Sequence, residues 1–484
     1  MSAAQPQAHP LFIGGEWPHR SETFERRDPS RPDTVTGIYS VAGPADVERA
    51  FAAAAAAQPA WTASSAQVRS RTLRDAAELI DESVDDLART LTADMGKAIR
   101  DARLEVARGA EILRYFAGEI LQADGETYPS VDPSTLLMTM SEPVGVVGVI
   151  TPWNFPVAIP LWKLAPALGF GNAVVWKPAS AAAGSAIALT AILERAGVPA
   201  GVLNVVTGGG GALSQRITSA PQLQALTFTG SEATGLKLQA ALADRTATLQ
   251  LELGGKNPAI VLEGADLPDA ALQVSRGAML ATGQRCTATS RCFVQRSIAA
   301  EFEQLLTDAV LKMRVGDPYD EETDIGPLAS REQIETVTRY LDMARGGDAR
   351  VLCGGESLPD ESGGFYVSPT ILTEVDPESP LLRDEIFGPV ICLVEVDGFE
   401  DGLEAANDTE FGLSTAVFTR DLGTALEFAR RAQAGLVHIN RETAGVEPHV
   451  PFGGLKGSSN KRREQGTAAR AFFTNTKTIY VRPR

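Results

Sequence analysis

The sequence predicts an α/β protein: a doubly wound parallel-sheet nucleotide-binding domain followed by a second α/β domain. The first observation is an alternation between Val146 and Leu262. The short apolar runs Val147-Gly148-Val149-Ile150, Ala173-Val174-Val175-Trp176, Asn204-Val205-Val206 and Ala225-Leu226-Thr227-Phe228 are each followed by a turn or an amphipathic stretch. Runs apolar on both faces, separated by crossover helices, indicate a parallel sheet covered on both sides, and such sheets bind ligands outside their carboxyl ends. The second is that the alternation resumes beyond Lys256, with a strand at Ala259 to Leu262, a helix from Ala270 to Thr282, and strand and helix pairs up to His438-Ile439-Asn440. The third is size: 484 residues at 44% hydrophobic content are enough for two or three domains with separate cores.

The remaining elements follow in order. Amphipathic stretches around Asp46 to Gln58, which include the Ala-rich Ala52 to Ala57, and Arg103 to Leu121 precede the first sheet and are expected to pack on it. Strand-like Thr135 to Ser141 and Thr476-Lys477-Thr478-Ile479-Tyr480-Val481 fit neither unit. Exposed strands of this kind need a partner, a liability that oligomerisation removes.

Composition excludes several classes. Sixty-one acidic against forty-four basic residues leave a net charge of -17, which argues against nonspecific nucleic-acid or anionic-membrane binding. Cys286, Cys292, Cys353 and Cys392 show no paired spacing, so no disulfide framework is expected, and four histidines do not suggest a metal cluster. The N-terminal Met1-Ser2-Ala3-Ala4-Gln5-Pro6 lacks a signal-peptide pattern, and no apolar run reaches the ~20 residues of a bilayer span. A cytoplasmic protein is the expectation.

The chemistry lies in a thiol and an upstream carboxylate. Gly283-Gln284-Arg285-Cys286-Thr287 follows Leu251-Glu252-Leu253-Gly254-Gly255-Lys256. A thiolate can attack an aldehyde carbonyl, and a nearby carboxylate can activate the water that releases the acyl group. Taken singly, a cysteine is more often a small buried hydrophobe and a glutamate a surface charge. Gly230-Ser231-Glu232-Ala233-Thr234-Gly235 and Gly208 to Gly211 are turns able to bring backbone N–H groups to a pyrophosphate, or ordinary tight turns.

These runs, with Thr151-Pro152-Trp153-Asn154-Phe155-Pro156, Trp176-Lys177-Pro178-Ala179-Ser180, Phe228-Thr229-Gly230-Ser231 and Glu385-Ile386-Phe387-Gly388-Pro389, stand in an order and spacing that resemble the aldehyde dehydrogenase superfamily. The likeness extends from Phe12-Ile13-Gly14-Gly15-Glu16-Trp17 to the C-terminal strand. It implies a dinucleotide-binding domain over 1–122 and 145–254, a catalytic domain over 255–455, and segments 123–144 and 456–484 forming a small projecting sheet that joins subunits into a dimer or tetramer. It also implies Cys286 as nucleophile, Glu252 as the deacylating base, and Asn154 as oxyanion donor, for which a helix cap is the alternative. Relatives that transfer the acyl group to coenzyme A lack this glutamate, so the implied product is a free acid.

For the cofactor, the resemblance implies Thr151, Pro152, Trp153, Lys177, Ser180, Gly210, Gly230, Ser231, Gly235, Leu253, Glu385 and Phe387. Ser231 would contact the pyrophosphate, Glu385 the nicotinamide ribose and Phe387 the ring, with a core position as the alternative for Phe387. Ser180 stands where NAD-selective members carry a glutamate. It removes a repulsion from a 2′-phosphate and can donate a hydrogen bond, so NADP is favoured, with NAD as the alternative.

The segments lining the substrate mouth look most like the 2-oxoglutarate semialdehyde (2,5-dioxopentanoate) dehydrogenase branch. Succinate semialdehyde dehydrogenases place arginines where this chain has Trp162 and Leu280. Succinate semialdehyde, sulfolactaldehyde, a broad aldehyde range, and a non-catalytic member of the fold are the alternatives. A substrate carboxylate in a partly dry tunnel needs a cation. The candidates are Arg285, Arg441 and His449, and Trp162 and Phe452 are counted with them as substrate-binding residues. An ion pair for Arg285 and a rim position for Arg441 are the competing readings. Lys163 is assigned simply to the helix after Asn154, and Lys461-Arg462-Arg463 to a solvated face.

Overall fold

In the computed structural model, residues 8–358 and 362–483 are described. A five-stranded parallel sheet has the order Leu203–Val205, Ala173–Pro178, Val146–Thr151, Leu223–Thr229, Thr248–Glu252. The strand Val146–Thr151 is buried at every position because both faces are covered. Val147 and Val149 enter one core with Leu113, Phe116 and Leu164, while Val146 and Ile150 enter the other with Phe51 and Leu213. The period of two in a pleated strand produces that division. The chain winds first to one side of Val146–Thr151 and then returns to the other, which makes this strand the switch point of the sheet.

The second sheet has seven strands in the order Arg350–Cys353, Thr370–Thr373, Val390–Val396, Thr289–Gln295, Asn257–Val261, Ser414–Phe418, Leu436–Ile439. All neighbours are parallel except Arg350–Cys353 against Thr370–Thr373. A third, antiparallel sheet pairs Thr474–Val481 with Leu136–Pro143, in register from Thr474 opposite Pro143 to Val481 opposite Leu136, and adds Thr127–Tyr128. Of the C-terminal segment only Thr474–Val481 joins this sheet; Leu455–Lys456 pairs with Phe411–Gly412, and Ser459 lies opposite Glu252. An N-terminal hairpin, Thr23–Asp28 with Arg31–Ser40, was not expected from the sequence.

The amphipathic stretches form the helices Pro44–Ala63 and Ile99–Glu119. The helix expected over Ala270 to Thr282 runs instead from Leu267 to Met279. Asp266 caps its start by accepting from the Asp269 N–H, and its end is forced by Ala281, Thr282 and Gly283, which have φ of 54°, 59° and 66°. Left-handed backbone cannot continue a right-handed helix, and a β-branched residue there is strained. The strain is held by a hydrogen bond from the Thr282 hydroxyl to Gly326 O, 3.0 Å.

One buried ion pair braces the switch point. Lys97 and Glu105, each about 1% exposed, are paired, and Glu105 also accepts from the N–H groups of Val157 (2.8 Å) and Ala158 (3.1 Å). Those N–H groups open the helix Ala158–Gly169, whose own N-cap residue, Val157, offers no side-chain acceptor. A carboxylate from a neighbouring helix thus does the capping. Lys97 Nζ lies 3.7 Å above the centre of the Phe155 ring and donates to Asn154 O at 2.8 Å. Lys97→Met would leave the Glu105 charge buried without its partner, so a loss of about 3–5 kcal/mol is expected. Denaturant titration of the variant should show a lower unfolding midpoint; an unshifted midpoint would show that the pair contributes nothing net.

Candidate active site

Two edges meet at the site. The carboxyl ends of the first sheet supply Thr151, Asn154, Lys177, Ser231 and Glu252, at or just beyond the strands ending at 151, 178, 229 and 252. The amino ends of the second sheet supply Gly255, Cys286 and Phe387, just ahead of the strands beginning at 257, 289 and 390. The Asn154 side chain spans the seam, Nδ2 donating to Gln284 O at 3.0 Å.

The backbone around Cys286 is clamped. Asn257 Nδ2 donates to Cys286 O (2.8 Å) and Ala288 O (2.9 Å), and its Oδ1 accepts from Ser414 N. Thr443 Oγ1 donates to Thr287 O at 2.7 Å, and Gln284 Oε1 accepts from Ala329 N at 3.0 Å. Gly283 packs so closely on the Phe387 loop that a Cβ there would lie 2.1 Å from Gly388 O. Phe387, itself at φ 57°, is held by Gln333 Nε2 through its carbonyl at 2.9 Å and meets Trp153 edge to face at 5.5 Å.

Cys286 lines a cavity of about 320 Å³ and is partly open to it. Burial, reinforced by the charges of Glu385, Glu252 and Glu464, pushes its thiol up to about 12. Both Glu252 oxygens are buried without a hydrogen-bond partner, and burial together with the nearby Glu464 carboxylate raises its carboxyl well above the usual range. Lys163 has a larger part than its assignment to a helix implied. It is 1% exposed, ion-paired with Glu464, and donates to Thr227 Oγ1 at 2.7 Å, so a buried cation stands behind the two acids. The run at 461–463 is solvated only at Lys461 and Arg462; Arg463 is half-buried, donating to Gly454 O at 2.8 Å.

Asn154 is 3% exposed, and its Nδ2 has one partner among the described residues, which leaves a second N–H for a developing oxyanion. The cap of the following helix comes from Glu105, so the cap alternative for Asn154 has no hydrogen bond to support it.

Trp162 and Phe452 line the cavity with their rings 5.4 Å apart, and Arg285 lines it too, 3.9 Å from Glu442. Arg441 and His449 do not line it; both are exposed. Asn440 is the physical cause for Arg441: at φ 54° it turns the chain after strand Leu436–Ile439, and Glu442 becomes the wall residue instead.

On the other side of the seam the residues fit a dinucleotide. Lys177 is a buried ammonium with no ion pair among the described residues, donating only to Pro178 O, and desolvation lowers it to about 8. The helices Gly210–Ser219 and Glu232–Ala241 begin at this edge, open space surrounds Gly209, Gly210 and Gly211, and a Cβ at Gly235 would lie 2.6 Å from Leu253 Cδ2. An uncompensated cation and two helix N-termini suit phosphate groups. Ser180 Oγ donates to Gly208 O at 3.0 Å, so the hydrogen expected for a 2′-phosphate is already committed. Glu385 accepts from Gly255 N at 2.9 Å, and burial raises its carboxyl to about 7.

Sequence reasoning missed Asn257, Gln284, Thr443, Lys163, Glu464 and the Lys97–Glu105 pair. Asn257 adjoins the glutamate run and Gln284 lies within the cysteine run, and that proximity was the available signal; the others act from distant positions in the chain.

The comparisons agree with this geometry. A profile of the aldehyde dehydrogenase family matches residues 17–479. The alpha-ketoglutaric semialdehyde dehydrogenase of Bacillus subtilis is 44% identical over 98% of both chains. The alpha-ketoglutarate semialdehyde dehydrogenase of Haloferax volcanii is 40% identical over 97% of this chain and 98% of its own. Among solved structures, an NAD-dependent aldehyde dehydrogenase from Sinorhizobium meliloti superposes with a TM-score of 0.95 at 35% identity, covering 99% of this chain and 96% of that one. With a thiol, a buried carboxylate and an amide donor gathered where two sheet edges meet, the chain belongs to the aldehyde dehydrogenase family, and it catalyses NAD(P)-dependent oxidation of an aldehyde to a carboxylic acid.

Proposed function

We propose that the substrate is a short acidic semialdehyde, 2-oxoglutarate semialdehyde, that the product is 2-oxoglutarate, and that NADP is preferred to NAD. The observation that carries the substrate reading is Arg285, 16% exposed in the wall of an otherwise largely apolar cavity. Its Nε has no partner, and its pairing with Glu442 is loose at 3.9 Å. The alpha-ketoglutaric semialdehyde dehydrogenase relatives support it. NADP is favoured by the absence of a carboxylate at Ser180 and by the ammonium of Lys177, which has no ion pair among the described residues. The exposed Leu136, Tyr480 and Val481 on the small sheet support assembly into a homo-oligomer.

In this reading the Cys286 thiol gives its proton to water in the cavity, Sγ attacks the aldehyde carbon, and the oxygen that becomes negative is held by Asn154 Nδ2 and the backbone N–H of Cys286. A nicotinamide held by Glu385 and Phe387 would supply the acceptor for the hydride that the tetrahedral carbon gives up. Cys286 then carries a thioester, and Glu252 takes a proton from the water that cleaves it, returning the thiol and releasing the acid. Trp162 and Phe452 keep bulk water from the adduct, and Glu385 and Phe387 orient the nicotinamide riboside.

Three outcomes are expected. Glu252→Gln should give a stoichiometric burst of reduced cofactor and then stall. Because Glu252 must lose its proton to act, wild-type deacylation should rise with pH through its raised titration, and the variant should lack that limb. Rapid-mixing absorbance without a burst would give Glu252 an earlier role. Ser180→Glu should shift the ratio of kcat/KM values toward NAD, and an unchanged ratio would place cofactor discrimination elsewhere. Arg285→Ala should lose most of the preference for 2-oxoglutarate semialdehyde over an uncharged aldehyde of equal length, while Arg441→Ala keeps it. A wild type without that preference would rule out the acidic substrate.

A further inference from the structure

The catalytic cavity has a neighbour. Asp101, Leu104, Arg276 and Leu280 line it and also line a second cavity of about 620 Å³ between the helices Ile99–Glu119, Leu267–Met279 and Ala299–Leu311. The two spaces therefore adjoin along a shared rim, and that rim carries a charge the rest of the site does not use.

Two other cations of the catalytic cavity are committed, Lys97 to Glu105 and Arg108 to Glu111 and Glu447, whereas Arg285 is only loosely paired with Glu442 and lies beside Cys286. Arg276 is exposed and its side chain makes no hydrogen bond or ion pair with the described residues. Its helix places it: Ala270, Ala271 and Val274 face the core, and Arg276 falls on the opposite stripe beside the exposed Leu272. Asp101 shares the rim, but its charge acts on buried Lys97. In the outer cavity Arg100 is tied to Asp324.

An anion approaching a protein of net charge -17 meets long-range repulsion, and a local uncommitted cation at a cavity mouth reverses the field where it matters. We propose that Arg276 is a specificity-determining residue that captures the substrate carboxylate at the shared rim. The larger cavity is then the approach path, and Arg285 takes over the carboxylate as the aldehyde reaches Cys286. The proposal rests on the acid-semialdehyde reading above. A guanidinium free of protein partners loses no existing ion pair when it binds the ligand, and its planar donors match a carboxylate.

The test compares kcat/KM for 2-oxoglutarate semialdehyde and for propanal, at low and high salt, in wild type, Arg276→Gln, Arg276→Lys and Arg285→Gln. Arg276→Gln should lower the acid-to-propanal ratio about tenfold, chiefly through KM, and flatten its salt dependence, as loss of electrostatic steering does. Arg276→Lys should recover most of both, since a point charge suffices for capture. The proposal is overturned if Arg276→Gln keeps the wild-type ratio and salt slope, or if it lowers both substrates equally. Should Arg285→Gln alone abolish the acid preference, the substrate reading stands and the role of Arg276 falls; a wild type with no acid preference overturns both.

Discussion

The hydrogen bond from Asn154 Nδ2 to Gln284 O joins the carboxyl edge of one sheet to the amino edge of the other, and the catalytic geometry depends on that seam. Neither sheet holds a complete site. The first brings the amide and Glu252, the second the thiol, and the distance between them is set by how two rigid layers meet. The bracing is correspondingly heavy: Lys97 and Glu105 hold the Asn154 segment from behind, while Asn257 and Thr443 hold the cysteine segment by its carbonyls and the Gln284 side chain accepts from Ala329 N. Sites mounted on packed strands and helices are positioned more tightly than sites on free loops.

The electrostatics follow from the same crowding. Glu252, Glu385 and Glu464 converge on one thiol, and low dielectric makes their mutual repulsion costly. Lys163, paired with Glu464, is the buried countercharge that makes the cluster tolerable. Burial and the neighbouring Glu464 raise Glu252 well above the usual carboxylate range.

Much of the first sheet was legible because its strands are buried on both faces and read as continuous apolar runs. Cys286, Glu252 and Asn154 could be singled out as candidates because they sit inside runs whose order is distinctive. The end of the helix before Cys286 was not, since Ala281 and Thr282 carry no sign of left-handed backbone; that conformation is held by the Thr282 bond to Gly326 O, from elsewhere in the chain. Nor could the sequence show that Arg441 turns away while Glu442 turns in, because one residue's φ, that of Asn440, decides it. Lys163 read as an ordinary helix residue, since its partner Glu464 lies 301 positions away.

The raised thiol has a consequence for the idle enzyme. Peroxides and electrophiles attack the thiolate, and a cysteine kept protonated by burial and three neighbouring carboxylates offers them little of it. In an enzyme whose substrates are reactive carbonyl compounds, burial and the surrounding acids favour the thiol form of Cys286. The same acids would slow attack by oxidants, which react with the thiolate.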